Sequence, residues 1–268
     1  GRASCATGGG STASGYKSCA DGDESTASGY LSCAIGDKST AVGYQSCATG
    51  TQSTATGLTA KATGTDSSVF GRSSCATATK SSAFGYMSLA TDANSTASGY
   101  KAVASGTQSS AFGYTPTASG HYSTAVGRIT IASANHASAF GFCSNATGLQ
   151  STASGYKALA SGADSSAFGR SSCATGTNSS AFGYCSCATS TWATAIGYLS
   201  CSTGLYAIAF GLCSHATGTS GLAVGTRATA SGYNSSVFGA YSCATGATAS
   251  AFGAYSCATG ANSSAFGW

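Results

Sequence analysis

One fourteen-residue phrase fills the chain. GYKSCADGDESTAS at residues 15–28 is followed at once by GYLSCAIGDKSTAV at 29–42 and GYQSCATGTQSTAT at 43–56. Cut every fourteen residues from Gly1, the 268-residue sequence gives nineteen units without insertion or deletion, and Gly267-Trp268 begin another partial coil. A period this strict means one supersecondary unit stacked on copies of itself, each touching only its neighbours. It predicts that residues 1–268 form a single repeat domain, although that length could hold two ordinary ones.

With positions in the unit numbered 1 to 14, the columns show what the stack tolerates. Position 1 is Gly in every unit, position 6 is Ala except at Ser202, and position 13 is Ala except at Val69 and Val237. Position 8 is Gly except at Ala78, Asp92, Ala134 and Ser190, and positions 4 and 11 are mostly Ser. Each unit is therefore two half-phrases reading S-x-A-x-G.

Two glycines per unit among Ser and β-branched residues, with no 3.6-residue apolar stripe, exclude helix. Alternation remains. In S-C-A-T-G and S-T-A-F-G, residues two apart share one face of a strand, so Ser, Ala and Gly lie on one side and Cys, Thr or Phe on the other. The small side belongs where space is scarcest. The pattern predicts an all-β parallel β-solenoid, or β-roll, of nineteen 14-residue coils with two short strands each. Positions 4, 6, 11 and 13 point inward, and Gly at positions 1 and 8 marks the corners, where only Gly takes a positive φ or a close backbone approach cheaply. At a rise of about 4.8 Å per coil, nineteen coils would make a rod of roughly 90 Å.

Such a roll gains little from its interior, because Ala and Ser bury little apolar area. Its outer columns must matter. Position 14 is Phe at Phe70, Phe84, Phe112, Phe140, Phe168, Phe182, Phe210, Phe238, Phe252 and Phe266. Contiguous exposed apolar surface marks an interface, and identical copies can bury such a stripe around a symmetry axis. This oligomer-contact ladder points to a homotrimer, with a dimer as the next choice. The alternative is a roll turned inside out, with Phe in the interior and the alanines facing water.

Position 2 is Tyr at Tyr16, Tyr30, Tyr44, Tyr86, Tyr100, Tyr114, Tyr156, Tyr184 and Tyr198. Following the corner Gly, these rings should form a surface aromatic ladder along one edge, either a stabilising stack or an interaction strip. Ten of the thirteen cysteines fall at position 5 and the other three, Cys143, Cys185 and Cys213, at position 3. This spacing is a ladder and not a metal motif. Leu89, Val103, Ile131 and Leu159 share position 5, which favours Cys as a small hydrophobe over cross-coil disulfides. Sequons at Asn94, Asn145, Asn178, Asn234 and Asn262 would accept glycans in a eukaryotic secretory compartment.

S-x-A-x-G, as SSAFG at 109–113 and STAVG at 123–127, resembles the head repeat of trimeric autotransporter adhesins of the YadA type, with S-V-A-I-G in units of like length. The resemblance covers all nineteen units. It implies a left-handed parallel β-roll, three chains around one axis with positions 12 and 14 at their contact, and display on a bacterial surface to bind host matrix or cells. Cysteine and the tyrosine column depart from that pattern, and no neck, stalk or anchor accompanies it. G-Y-x-S-x-x-T also resembles bacterial ice-nucleation repeats, although those have longer units without the doubled S-x-A-x-G.

Composition narrows the function further. Only 7% of residues are charged, and the net charge of +4 is spread thinly through Lys17, Lys38, Lys61, Arg72 and Arg128 with no basic run. Nucleic acid is thus a poor partner. No apolar stretch is long enough to span a bilayer, so no membrane insertion is expected in this segment, and any leader or anchor would lie outside it. His121, His136 and His215 sit at unrelated positions, the acids are scattered, and a filled roll offers no pocket. The sequence thus implies no enzyme, no metal and no cofactor. Its first and last units are ordinary, without polar caps, which predicts end-to-end joining into a filament or a place in a longer fibre. The expectation is a structural or adhesive extracellular fibre or surface-adhesin head; the alternative is an ice-binding solenoid that uses Thr, Ser and Tyr ladders.

Overall fold

The computed structural model describes residues 1–268, Gly1–Trp268, in two compact units, Gly1–Ser133 and Ala134–Trp268. Both are built entirely from short strands, turns and bends. No helix is long and apolar enough to cross a membrane.

In the first unit each coil has a two-residue strand at positions 5–6, such as Cys19–Ala20, and a three-residue strand at positions 12–14, such as Thr26–Ser28. Each pairs in parallel with its own copy in the next coil, column on column: Cys19 with Cys33, Ala20 with Ala34, and Thr26, Ala27 and Ser28 with Thr40, Ala41 and Val42. From Ser82 the second strand runs five residues, as in Ser82–Tyr86 and Thr96–Tyr100. The second unit repeats the scheme, with Cys173 on Cys187 and Ser166, Ala167 and Phe168 on Ser180, Ala181 and Phe182.

The interior is the small face, as the alternation requires. The alanines of positions 6 and 13 are inaccessible to solvent through nearly the whole of both units, and Val69 and Val237 are the largest side chains buried among them. The phenylalanines face out, Phe70 at 44% and Phe112 at 40% exposure. The inside-out alternative is thereby overturned, because two sheets separated by little more than a methyl group leave no room for a ring.

Serine ties some of the corners, while at others, such as Ser18, Ser32 and Ser67, the buried hydroxyl makes no hydrogen bond. Ser53 Oγ donates to the Gly50 carbonyl at 2.6 Å, Ser81 Oγ to Ala78 at 2.6 Å and Ser242 Oγ to Gly239 at 2.7 Å, each three residues back across its turn. Ala60 and Ala102 fill the same inward column without such a bond.

The two glycine columns do different work. At position 1 the glycines have a φ that only Gly tolerates, such as +133° at Gly99, where a Cβ would also collide with the Gly113 carbonyl oxygen. Position 8 glycines have no such φ. A Cβ at Gly36 would strike the Gly50 carbonyl of the next coil, so close approach alone selects Gly there.

Positive φ falls instead on positions 3 and 10, which carry ordinary side chains: Lys101 at +49°, Ile129 at +56°, Trp192 at +60° and Asn178 at +56° among them. A left-handed residue costs about 1–2 kcal/mol unless it is Gly. The compensation is visible in the backbone. Each such residue sits third in a four-residue turn, and its N–H donates to the preceding coil: Leu31 to Tyr16 O at 2.9 Å, Lys38 to Asp23 O at 2.7 Å. The turns are hydrogen-bonded ladders as continuous as the strands, and a net ~0.5–1.5 kcal/mol per bond offsets most of the strain.

Two predictions follow from these columns. Ala97→Leu overfills the interior and lowers stability by about 1–3 kcal/mol, whereas Ala97→Val, which reproduces Val69 and Val237 at the same column, stays within about 1 kcal/mol of the parent in denaturant unfolding. Ile129→Asn relieves a β-branched residue of its left-handed turn and raises stability by about 1 kcal/mol in the same assay.

Candidate functional site

The outward columns are the extended features of the surface, and no three His, Cys, Asp or Glu side chains gather into a group that could hold a metal. The first column is position 14. Register places Phe70 over Phe84 and Phe168 over Phe182, with ring centroids 5.6 and 5.2 Å apart and planes 3° from parallel. Phe238, Phe252 and Phe266 continue the pattern at 5.4 and 5.3 Å. Phe112, Phe140 and Phe210 are also exposed, but they alternate with Val, Ser or Ile, so the apolar stripe is broken into short aromatic runs.

Position 2 carries the tyrosines to the edge. Tyr16, Tyr30 and Tyr44 stack at 5.1 and 4.9 Å, Tyr86, Tyr100 and Tyr114 at 5.2 and 4.7 Å, and Tyr184 and Tyr198 at 4.9 Å. In the five-residue strands Phe84 and Tyr86 are two residues apart on one outer face, so the tyrosine ladder borders the phenylalanine ladder. Residues that the sequence reading passed over extend the stack. Phe142 lies against Tyr156 at 5.1 Å, and Tyr241 and Tyr255, from position 3, stack at 5.2 Å. Cations cover the rings: Arg72 lies over Tyr86, Lys101 over Tyr100, and Arg170 over both Tyr156 and Tyr184, all within 5.5 Å. Tabulating the tyrosine column alone would have exposed Arg72, Arg128 and Arg170 within it.

Four of the five sequons have a structural cause. Asn94, Asn178, Asn234 and Asn262 occupy position 10 with φ between +51° and +58°, a conformation Asn adopts more readily than other side chains. Asn145 differs, lying in a strand against Leu159.

The cysteine ladder runs up the other sheet, with Cys5, Cys19, Cys33 and Cys47 in register. Eleven cysteines are free thiols. Cys243 and Cys257 are joined by a cross-coil disulfide at a Cα separation of 4.7 Å, which corrects the small-hydrophobe reading for that pair. Cys19 Sγ donates to Asp21 Oδ1 at 3.2 Å, and that bond, followed by burial, pushes its pKa up to about 12. Burial raises Cys33 and Cys75 as well. Cys187 moves the other way, because the Cys173 and Cys201 thiols on either side donate to its sulfur and favour the thiolate. His215 Nδ1 lies 2.8 Å from the Cys213 carbonyl oxygen.

Cys187 is therefore expected to react first. With the Cys187 pKa lowered and that of Cys19 raised, limiting iodoacetamide at pH 7 should label Cys187 ahead of Cys19. Peptide mapping by mass spectrometry that found equal labelling of the two would contradict the assigned donors.

Comparison with known proteins adds an independent observation. The family model described as "YadA head domain repeat (2 copies)" matches residues 6–32, 34–58, 48–74, 76–102, 93–115, 118–142, 146–172, 216–242 and 244–268. Among solved structures, the collagen-binding domain of the Yersinia adhesin YadA is similar at 22% identity over 61% of this chain and 68% of that one, with a TM-score of 0.28. That superposition is too loose to bear on fold or ligand. Among curated proteins, none matches the chain.

Proposed function

The chain belongs to the family of YadA head domain repeats, and on that footing we propose that it works as a surface-displayed, non-enzymatic adhesin head that assembles with two further copies of itself. The observation that carries the proposal is the outward phenylalanine column. Its rings stay more than a third exposed although they stack on each other. A monomer gains nothing by keeping that apolar surface in water, and three copies around an axis would remove it. The surface location, the single repeat domain and the end-to-end stacking of copies belong to the same reading. Ligand contact then falls to the columns that remain outward, with host matrix or a cell-surface molecule as the partner.

Trimer formation is tested by mass. Sedimentation equilibrium should give three times the 25.8 kDa chain mass. Phe168→Ser with Phe182→Ser should shift the population toward monomer while the strand circular dichroism persists, because Ser98 and Ser154 already occupy that column. A wild-type monomer or dimer, or a trimer indifferent to the double substitution, would contradict it.

The exposed hydroxyls of Thr63, Thr77 and Thr91, in successive coils at position 7, support ice binding as a second reading. Thermal hysteresis separates the two, since an adhesin head shows none.

A further inference from the structure

Charge is sorted by edge. In the first unit the turn through positions 1–4 carries Arg2, Lys17, Arg72, Lys101 and Arg128, all exposed, and no acid. In the second unit the same turn carries Lys157, Arg170 and Arg227, again exposed and without an acid. Every Asp and Glu of the chain instead lies at positions 7–10, toward the opposite turn, where Thr7 and Gly9 hydrogen-bond Asp21 and Asp23. In each unit the turn through positions 1–4 is thus purely basic, whereas the turn through positions 7–10 holds all the acids together with Lys38 and Lys80, and Lys61 lies in a strand at position 5.

We propose that this edge binds an extended acidic polysaccharide. Its sulfates or carboxylates would meet the guanidinium and ammonium groups, and its hydroxyls the phenol groups between them. Arg72, Lys101 and Arg128 stand in alternate coils, so cations recur about every 10 Å along the first unit. Tyr86, Tyr100 and Tyr114 fill the coils with and between them. An extended pyranose chain advances by about one coil rise per sugar, so charged groups on alternate sugars can keep register with the cations.

Two other polyanionic partners fit less well. Single-stranded nucleic acid needs ring faces on which bases stack, but these rings cover one another at 4.7–5.2 Å and turn their edges outward. The acidic edge of a second copy fits less well, since in the first unit Lys38 and Lys80 stand among its acids and in the second unit the three basic-edge cations would have Asp164 as their sole acid.

The inference rests on the adhesive reading and gives its ligand a chemical class. Its test is affinity for heparin and for chondroitin sulfate, with neutral dextran and oligothymidylate as comparison probes. Binding should weaken as salt rises. Substituting Arg72→Gln, Lys101→Gln and Arg128→Gln together should weaken it on the order of tenfold, the scale expected of three exposed ionic contacts. Tyr86→Phe, Tyr100→Phe and Tyr114→Phe, which keep the ring stack, should lower affinity without changing the salt dependence. Asp21→Asn with Asp23→Asn, on the other edge, should leave it unchanged. The proposal is overturned if the triple cationic variant binds like the parent, if dextran or oligothymidylate binds as tightly as heparin, or if salt-reversible self-association is lost in variants of both edges. A trimer that ignores heparin sinks this inference alone; heparin binding by a monomer sinks the trimer alone.

Discussion

Two parallel sheets pressed together across a single layer of methyl groups set every other property of this molecule. Ala at positions 6 and 13 is excluded from solvent in coil after coil, and so thin an interior contributes little hydrophobic free energy at ~25 cal/mol per Å². Cohesion has to come from hydrogen bonding between coils. The ladders run through strands and turns alike, so that even the left-handed residues at positions 3 and 10 donate to the preceding coil. This is why Ile129 and Trp192 can hold a backbone conformation that would strain them elsewhere.

The same thinness moves function outward. An interior filled by methyl and hydroxyl groups has no cavity to offer, so recognition falls to columns repeated at the coil spacing. Repetition suits weak contacts. Several exposed groups on one rigid ladder can engage a polymer or a symmetric partner together, and linked contacts bind far more tightly than any one of them. The phenylalanine column, the tyrosine and cation edge, and the cysteine column are three such arrays on one scaffold.

Much of this was legible in the sequence. The period gave the stack, and alternation by two separated Ala83 from Phe84 onto opposite faces, which the structure keeps. The tyrosine stacking also followed, because register turns a column into a ladder. Other features were hidden for physical reasons. For position 8 glycine the pattern allowed either a positive φ or a close backbone approach, and close approach to the next coil alone selects it, as Gly36 shows. Positive φ lay on Lys, Leu and Ile, whose side chains carry no left-handed signal; the position 10 residues Asp66, Asp164, Asn94, Asn178, Asn234 and Asn262 hinted at it, and the asparagines read as sequons. The sorting of charge escaped because Arg72 and Lys101 are twenty-nine residues apart in sequence and two coils apart in space. The donors that set Cys187 apart depend on thiol orientations that no spacing rule records.

The closeness of the two sheets can be measured directly with alanine-methyl isotope labelling and nuclear Overhauser spectroscopy on the otherwise deuterated protein. Strong cross-peaks are expected between position 6 and position 13 methyls, such as Ala90 with Ala97, and none between those methyls and the Phe84 or Phe112 ring protons. Ring-to-methyl cross-peaks, with the alanine columns silent toward each other, would show the layers assigned the wrong way round.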